Sequence, residues 1–436
     1  MHGLDTELIL AIAATLVVWG LVSARVESFD VSAPMFFVAI GFVLANDPVS
    51  AIDVDVHSET LRALAEVTLA LLLFSDAARV NLRALRRDAG VPVRLLFGGL
   101  PLTIALGTAT AVLLFPDLDP WAAAVIAAAV APTDAALGAQ VVENPHVPHR
   151  IRRVLNVESG LNDGIATPFV TFFIAGAVAD TVVLSPASLG GALGDLGIGV
   201  LVGAGIGLGG GLLVMFSASR GWTSRAYRGI SALALALAAY ALAVELGGNG
   251  FIAAFVGGLS IGTVLPEREQ EPTLEFDAQA GELLSFVVWF LFGAAMVPTL
   301  DDTTWQTVTF AVLALTLVRM APVALVLFGA RLAPMTVAFI GWFGPRGLAS
   351  VVFGLIAFDS LQGSDAKDVL AAVTLTVLLS VIAHGITARP LSRRYGNRID
   401  ALAGDAHERV AVPTLAPRPL TRYGRAQRPP VTELDE

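Results

Sequence analysis

The sequence predicts an all-helical protein that crosses a membrane many times, and three observations lead to this fold class. Hydrophobic residues make up 55% of the 436 residues, and charged residues only 15%. The mean hydropathy of the chain is +0.74. Apolar runs near the ~20 residues that span hydrocarbon recur along almost the whole chain. We therefore interpret the chain as a polytopic membrane protein and not as a soluble enzyme.

Thirteen apolar runs can be counted, which predicts about 13 transmembrane helices within residues 1–390. The runs lie near 7–24, 32–46, 61–78, 91–115, 120–143, 151–178, 193–218, 226–246, 248–265, 279–298, 305–330, 334–358 and 368–390. The first run has no basic leader and no clear cleavage site, so we expect a retained helix rather than a signal peptide. Residues 391–436 are polar and contain many Pro and Arg residues, as expected of a short cytoplasmic tail of disordered composition.

The charges between the runs predict the orientation, because cytoplasmic loops hold the excess of Arg and Lys. Arg residues collect in every second loop, namely Arg25, Arg79, Arg83, Arg86, Arg87, Arg150, Arg152, Arg153, Arg220, Arg225, Arg228, Arg268, Arg331, Arg389, Arg393 and Arg394. The intervening loops are acidic, with Asp47, Asp53, Asp55, Glu59, Asp117, Asp119, Asp180, Asp301, Asp302, Asp359 and Asp365. We expect a protein of the cell (inner) membrane with its N-terminus outside and its C-terminus in the cytoplasm.

Several classes of function are excluded by composition. The net charge of -10 comes from acids in the outer loops and the tail, so no nucleic-acid partner follows, and the predicted partner surface is the lipid bilayer. The chain has no Cys, which excludes disulfides, thiolate metal sites and a Cys nucleophile. It also lacks the ligand-spaced His residues of a metalloprotease. His384, alone in the last run, is interpreted as structural.

Two carboxylates lie inside the sixth run, in the segment VESGLNDG at 157–164. A charged side chain at membrane depth is costly unless it is paired or faces water, so it indicates a functional site. On a helix, Glu158 and Asn162 share one face, and Asp163 is rotated about a quarter turn further. This spacing predicts that one carboxylate is paired and that the other is free to act.

Two runs contain helix breakers beside a charged residue. The fifth run has Ala131-Pro132-Thr133-Asp134 and the twelfth has Gly344-Pro345-Arg346-Gly347. Pro and Gly disfavour helix, so both runs should be locally unwound. Paired interrupted helices are the best sequence pointer to a transporter site. The spacing of seven runs between them predicts two inverted six-helix repeats, about 1–180 and 226–390, with a linker helix at about 193–218.

These motifs resemble those of the monovalent cation:proton antiporters, in particular the electroneutral NhaP/NHE-type branch. The segment ESGLNDG at 158–164 resembles the sixth-span "ES-x-x-ND" signature of that branch, and Thr133-Asp134 resembles its unwound "TD" segment. Gly344-Pro345-Arg346-Gly347 is similar to the "G-x-RG" of the twelfth span, and Asp76 lies in a segment that resembles the third-span acidic motif. The resemblance implies an NhaA/NapA-like fold with two unwound crossing helices.

The resemblance also implies roles for single residues. Asp163, beside Asn162, would bind cation and proton alternately, and Thr133 and Ser159 would help to coordinate the ion. Glu158 would form a structural ion pair with Arg319. The roles of the remaining three residues stay open. Asp134 and Asp76 are candidate cation ligands, and Asp76 is alternatively an access-funnel or helix-end residue. Arg346 either neutralises opposed carbonyl ends or satisfies backbone groups.

Charge counting predicts the exchange ratio. If Glu158 stays ionised against Arg319, only Asp163 titrates, so one proton exchanges for one monovalent cation and turnover is electroneutral. Asn162 cannot titrate. We expect sodium as the cation, with potassium and lithium left open, and no cofactor. The alternative is a sodium-coupled symporter of an organic anion on a similar inverted scaffold.

A series of glycines in the seventh run bears on assembly. They are Gly197, Gly199, Gly203, Gly205, Gly207, Gly209, Gly210 and Gly211. Small residues allow helices to approach closely in membranes. The series is either a dimer face or a packing face within one protomer, and we expect a homodimer.

Overall fold

The computed structural model describes residues 6–80, 90–134, 136–142, 144–179, 186–300, 303–400 and residue 408. Arg83, Arg86, Arg87, Asp180, Asp301 and Asp302 lie outside these residues, as does most of the predicted tail. Within the described residues, helix occupies part of every one of the thirteen predicted apolar runs.

The first half of the chain contains seven helices in the described residues. They are α1 (Thr6–Glu27), α2 (Ala33–Ala45), α3 (Glu59–Ala78), α4 (Gly90–Leu114, with a π turn at Leu95–Gly99), α5 (Pro120–Val130), the short α6 (Ala139–Val142) and α7 (His149–Val178).

The second half contains nine helices in the described residues. They are α8 (Pro186–Ser219), α9 (Arg225–Glu245), α10 (Gly250–Val264), α11 (Glu267–Leu291, followed by a π turn and a 3-10 turn to Leu300), α12 (Trp305–Leu315), α13 (Leu317–Val326), α14 (Pro334–Trp342), α15 (Leu348–Ser360) and α16 (Gly363–Asp400).

The predicted all-helical membrane fold is confirmed at this level. Among the described residues, eight helical segments are long and apolar enough to span a membrane. Four shorter apolar helices lie between them, at Ala33–Ala45, Pro120–Val130, Gly250–Val264 and Leu348–Ser360. The count of thirteen spans and the inverted repeats stay predictions.

Side-chain caps fix where several helices begin. Ser58 Oγ accepts a hydrogen bond from the Leu61 amide at the start of α3, and Asp119 does so from the Trp121 amide before α5. Asn249 caps α10 through the Ile252 amide. A capping oxygen satisfies one of the amides that have no partner in the first turn. These polar residues therefore end the loops and start the spans.

The helices pack into two groups. One contains α3, α8, α9, α10 and α11, in which α10 packs against α3, α8 and α9, and α11 packs against α3 and α9. The other contains α4, α5, α7 and α12–α16, in which α5 packs against α4 and α7, and α16 packs against α12 and α15. Between the groups, α3 and α10 pack against α7, α3 and α11 pack against α15, and the 3-10 turn after α11 packs against α16. The broken helices α5–α6 and α14–α15 both belong to the second group.

Three boundaries differ from those that the sequence predicts. Helix α11 begins at Glu267, although the apolar run begins near 279. Helix α16 continues to Asp400, past the predicted start of the tail at 391. The eleventh run is broken at Thr316, where α12 ends and α13 begins. Apolar content marks the part of a helix in hydrocarbon, and it does not mark polar turns that continue the same helix.

Candidate functional site

The two broken helices meet at their unwound segments. Helix α5 ends at Val130, and α14 ends at Trp342 before α15 begins at Leu348. The amide of Asp134 in the first segment donates a hydrogen bond of 2.7 Å to the carbonyl of Pro345 in the second. The predicted unwinding at Pro132 and Gly344-Pro345 is therefore present, and the two breaks contact each other. This place of contact is called the crossing. Unwound backbone at membrane depth is tolerated where protein encloses it.

Asp134 accepts hydrogen bonds from the turn before α6 and from the start of α15 at this crossing. Its Oδ1 accepts from the amides of Ala136 (2.6 Å) and Leu137 (3.3 Å), and its Oδ2 accepts from the amide of Leu348 (3.1 Å), the first residue of α15. A Cβ on Gly347 would collide with the Asp134 side chain, so glycine is needed there. A carboxylate at a helix N-terminus is stabilised by the helix dipole. Both oxygens of Asp134 are thus engaged by backbone.

Arg346 performs the reciprocal role for carbonyl groups. It is fully buried, and its Nη1 donates to the carbonyls of Ala131 and Pro132, which follow α5. Its Nη2 donates to the carbonyl of Ala314 at 3.4 Å, just before the break at Thr316. A guanidinium group with several fixed donors suits a cluster of carbonyls that have left a helix. Each broken helix therefore supplies the charge that stabilises the other.

Two residues of α16 complete the crossing, and neither is among the site residues predicted from the sequence. The Arg346 amide donates to Ser380 Oγ at 2.6 Å. His384 Nε2 lies 2.8 Å from the carbonyl of Trp342, the last residue of α14, and His384 Nδ1 lies 3.1 Å from Ser380 Oγ. The signal available in the sequence is their spacing, since polar residues at i and i+4 share one face of an otherwise apolar helix.

Glu158 of α7 and Arg319 of α13 lie together in the interior. Arg319 Nη2 is 2.6 Å from Glu158 Oε1, and each side chain is about 3% exposed. A Cβ on Gly344 would lie 2.7 Å from Arg319 Nε and 3.0 Å from Thr133 Cγ2. The absence of a side chain at Gly344 therefore leaves the space through which Arg319 reaches Glu158. The resemblance implies this same pairing.

Three uncharged polar side chains form a buried cluster beside the crossing. Asn162 Nδ2 donates to Thr133 Oγ1 at 2.7 Å, and Thr133 Oγ1 lies 2.9 Å from Ser159 Oγ. Thr133 comes from the unwound segment after α5, and the other two come from successive turns of α7. Asn162 Oδ1 is buried without a hydrogen-bond partner in the described part of the chain. An open carbonyl oxygen and two hydroxyls are ligands that a hard cation accepts.

Asp163 lies on a different face of α7 from Glu158 and Asn162. The adjacent Gly164 packs against α10, where a Cβ would collide with the Phe255 ring. Asp163 is half-buried, and its backbone carbonyl accepts a hydrogen bond from Thr167 Oγ1. Glu158 and Asn162 instead face the crossing. Asp163 thus lies where α7 borders the other group of helices, next in sequence to the polar cluster.

Asp76 of α3 approaches the same region from that other group. A Cβ on Gly160 would lie 3.8 Å from Asp76 Cβ, so α3 and α7 touch one turn before Asp163. Asp76 is half-buried and precedes the C-terminus of α3 at Ala78 by only two residues. The structure therefore brings together eight of the nine predicted residues at or beside the crossing, and it places Asp76 at the edge.

A match to a protein family covers most of the chain. Residues 11–394 match the family described as "Sodium/hydrogen exchanger, transmembrane". This chain belongs to that family. The match confirms the resemblance to the monovalent cation:proton antiporter family.

Relatives of this exchanger-family chain carry names that specify cations. The K(+)/H(+) antiporter NhaP of Alkalimonas amylolytica is 24% identical over 85% of this chain and 64% of its own length. The Na(+)/H(+) antiporter NhaG of Bacillus atrophaeus is 26% identical over 75% of this chain and 63% of its own length. This chain thus spans a little under two thirds of the length of these relatives.

A solved structure supports the exchanger fold. The sodium proton antiporter MjNhaP1 from Methanocaldococcus jannaschii superimposes with a TM-score of 0.68 at 18% identity. The match covers 87% of this chain and 100% of that one. At this identity the likeness concerns the fold, and the chemistry is argued from the residues of this chain.

Proposed function

We propose that this protein is a secondary-active antiporter that exchanges a monovalent cation for protons by alternating access. The observation that carries the proposal is the buried cluster of Thr133, Ser159 and Asn162 at the crossing, in which Asn162 directly precedes Asp163 in the sequence. Oxygen ligands beside one carboxylate suit a small cation that replaces a proton. Membership of the sodium/hydrogen exchanger family supports the same function.

Asp163 is the carrier in this mechanism. Burial favours the protonated carboxyl group, whereas a cation in contact with the carboxylate favours the ionised one. Cation and proton therefore compete for Asp163, with Thr133, Ser159 and Asn162 as additional oxygen ligands. An empty, ionised site is costly to carry across hydrocarbon, so only the loaded or protonated protein reorients. This restriction couples the two fluxes and suppresses leakage.

The neighbouring charges favour an electroneutral 1:1 exchange. Glu158 and Arg319 lie within ion-pair distance and offset each other. Asn162 has no titratable proton. Asp163 is then the group that changes charge during turnover, and one proton leaves for each monovalent cation that binds.

Sodium is the proposed cation, with potassium and lithium as alternatives. The names of the relatives divide between sodium and potassium, so they do not decide it. We further propose the inner cell membrane as the location, with the N-terminus outside and the C-terminus in the cytoplasm, and a homodimer as the assembly.

The test is the collapse of a preset pH gradient in proteoliposomes after addition of sodium, lithium or potassium. Wild-type protein should collapse the gradient with at least one ion, equally with and without a clamped membrane potential. Asp163→Asn should abolish the response, because the only exchanging proton is lost. Asp53→Asn, which changes an exposed acid of an outer loop, is the matched control and should behave as wild type.

Full exchange by Asp163→Asn would refute the assigned carrier. A response that depends on the clamp would refute electroneutrality. No collapse with any of the three ions across a range of pH would favour the sodium-coupled symporter of an organic anion over the antiporter.

A further inference from the structure

A buried carboxylate on α11 has no role in the mechanism above. Asp277 has no solvent exposure, and neither of its carboxylate oxygens has a hydrogen-bond partner within the described part of the chain. An ionised carboxylate without hydrogen bonds in an apolar interior is strongly disfavoured unless a proton or a cation accompanies it. Asp277 is not among the site residues predicted from the sequence, because it lies before the apolar run, in the polar turns that begin α11.

The contacts of α11 with α3 fix what lies opposite Asp277. The carbonyl of Leu274 accepts a hydrogen bond from Arg79 Nη2 at 3.4 Å. A Cβ on Gly281 would lie 3.1 Å from Leu72 Cδ2. The two contacts are two helical turns apart on each helix and run in opposite order, so the helices are antiparallel. Asp277 therefore faces the part of α3 between Leu72 and Arg79.

Ser75 and Asp76 occupy that part of α3. Ser75 Oγ is buried and also has no hydrogen-bond partner among the described residues. Asp76 in turn touches α7 at Gly160, one turn before Asp163. Three neighbouring helices thus carry one carboxylate each, in the spatial order Asp277 on α11, Asp76 on α3 and Asp163 on α7.

The charges around Asp277 are few. Those that act on its carboxylate are Arg79 and Asp76 of α3. Helix α2, which also packs against α11, carries no charged residue. On the remaining helices in contact with α11, Arg228 of α9 pairs with Glu269 at 2.6 Å, and Asp359 of α15 pairs with Arg62. The other charged groups of these helices, of α3 and of α11 whose side chains the structure describes are Glu7, Arg25, Glu27, Glu59, Glu66, Arg225, Glu245, Arg268, Glu275 and Glu282.

We propose that Asp277, together with Asp76, forms an inner station that takes up a cation or proton on its way to or from Asp163. The station lies on the side that the Arg-rich loops predict to be cytoplasmic, next to Arg79. The inner station rests on the proposed antiport function, since an exchanger brings both the cation and the proton to Asp277. A bound cation or proton supplies the positive charge that the Asp277 carboxylate lacks. The nearby positive charge of Arg79 repels that cation or proton and so limits how tightly it is bound.

The test compares Asp277→Asn with wild type in proteoliposomes, by measuring the half-saturating cation concentration and the pH profile of exchange. For a cation station, the half-saturating concentration should rise about fivefold, equivalent to roughly 1 kcal/mol. For a proton station, the pH profile should shift. In both cases the maximal rate and the melting temperature should stay close to wild type. Glu275→Gln removes a negative charge two residues earlier on α11. It should change neither the half-saturating cation concentration nor the pH profile of exchange.

Each remaining outcome has a definite meaning. Unchanged affinity and pH profile in Asp277→Asn, with active wild type, would overturn the station but leave the antiporter standing. A lower melting temperature and a lower maximal rate, with unchanged affinity and pH profile, would show that Asp277 has a packing role and would also overturn the station. No exchange by wild type would refute the proposed function itself.

A second variant covers the case in which Asp277→Asn does not fold. Arg79→Gln removes the cation that faces Asp277, so the carboxyl group should hold its proton to higher pH. The pH profile of exchange should then move towards alkaline pH. An unmoved profile in a folded Arg79→Gln protein would contradict the inference.

Discussion

At the scale of single residues, the burial of Glu158 and Arg319 is the most consequential electrostatic feature. Both side chains are about 3% exposed and lie 2.6 Å apart. Arg319 and Glu158 are also the charges that act on the buried Arg346. Removing one member of a buried pair leaves an uncompensated charge, which costs more than the pair itself contributes. Loss of Glu158 would leave two guanidinium groups facing each other.

We predict that Arg319→Ala and Glu158→Gln each destabilise the protein by about 3–5 kcal/mol, because each leaves a buried charge unpaired. The measurement is the unfolding transition in detergent, at a pH where wild type is stable. Asp359→Asn is the control, since the Asp359 side chain is 57% exposed and pairs with Arg62, which is 40% exposed. Breaking that pair should cost at most about 1 kcal/mol.

The double variant Glu158→Gln/Arg319→Ala decides whether the two residues act as a pair. Its destabilisation should be clearly smaller than the sum of the single effects, because no charge is left alone. Additive effects in this cycle would contradict the structural pairing.

Residue spacing predicted part of the site. Because Glu158 and Asn162 are four positions apart, their common face and the different direction of Asp163 follow from helical periodicity. The partners across space do not follow from it. Ser380, His384 and Asp277 lie far along the chain, and their neighbours depend on how the helices pack. A lone polar residue in a helix carries little local signal of that kind.

At the scale of helices, the glycines of α8 divide into two faces. Gly199, Gly203 and Gly207 lie against the backbone of α10, at Asn249, Ala253 and Gly257. A Cβ added at Gly197, Gly205 or Gly209 would have no neighbour within 4 Å among the described residues. The face of α8 with Gly199, Gly203 and Gly207 therefore packs within the protomer, which is one of the two roles predicted for these glycines. The other face stays available for the proposed dimer.

We predict opposite outcomes for two neighbouring Gly→Ala variants of α8. Gly207→Ala should destabilise the protein by about 1–3 kcal/mol, because a Cβ would collide with the carbonyl of Gly257 and lie 2.7 Å from Ser260 Cβ. Gly209→Ala, two residues away, is the control and should keep the wild-type melting temperature. Thermal unfolding in detergent measures both. Equal melting temperatures would mean that α8 and α10 are not packed this closely.

Helix breaks were predictable only where the sequence contains breakers. Pro132 and Gly344-Pro345 mark two of them, since Pro lacks an amide donor and Gly favours no helix. The break at Thr316 has no such marker. There the carbonyl of Ala314 accepts a hydrogen bond from Arg346, a residue of another helix. This break belongs to the tertiary structure, and the local sequence does not reveal it.

At the scale of the whole molecule, the two groups of helices are joined by an ion pair on the predicted outer side. Arg62 of α3 pairs with Asp359 of α15, and Arg62 also pairs with Glu66 at 2.7 Å. Tyr240 of α9 donates to the other oxygen of Glu66 at 2.7 Å. A cavity of about 320 Å³ lies beside this network. Alternating access requires such contacts between the groups to open and close.

We predict that fixing this contact stops exchange. The chain has no Cys, so Arg62→Cys/Asp359→Cys creates the only thiols, and a short bifunctional thiol reagent can join them. Exchange in proteoliposomes should fall to background after cross-linking and should return when a reducible linker is cleaved. Each single Cys variant, treated with the same reagent, is the control. Full exchange by the cross-linked protein would show that α3 and α15 do not separate during transport.

The reciprocal capping by Asp134 and Arg346 has a consequence for building hybrids with related exchangers. The first amide of α15 donates to Asp134 in the segment after α5, and the two carbonyls that follow α5 accept from Arg346 in the segment before α15. Neither broken helix is a self-sufficient module. Residues 131–134 and 343–348 form one transferable unit, although more than two hundred positions separate them. An exchange of segments between family members should move both together.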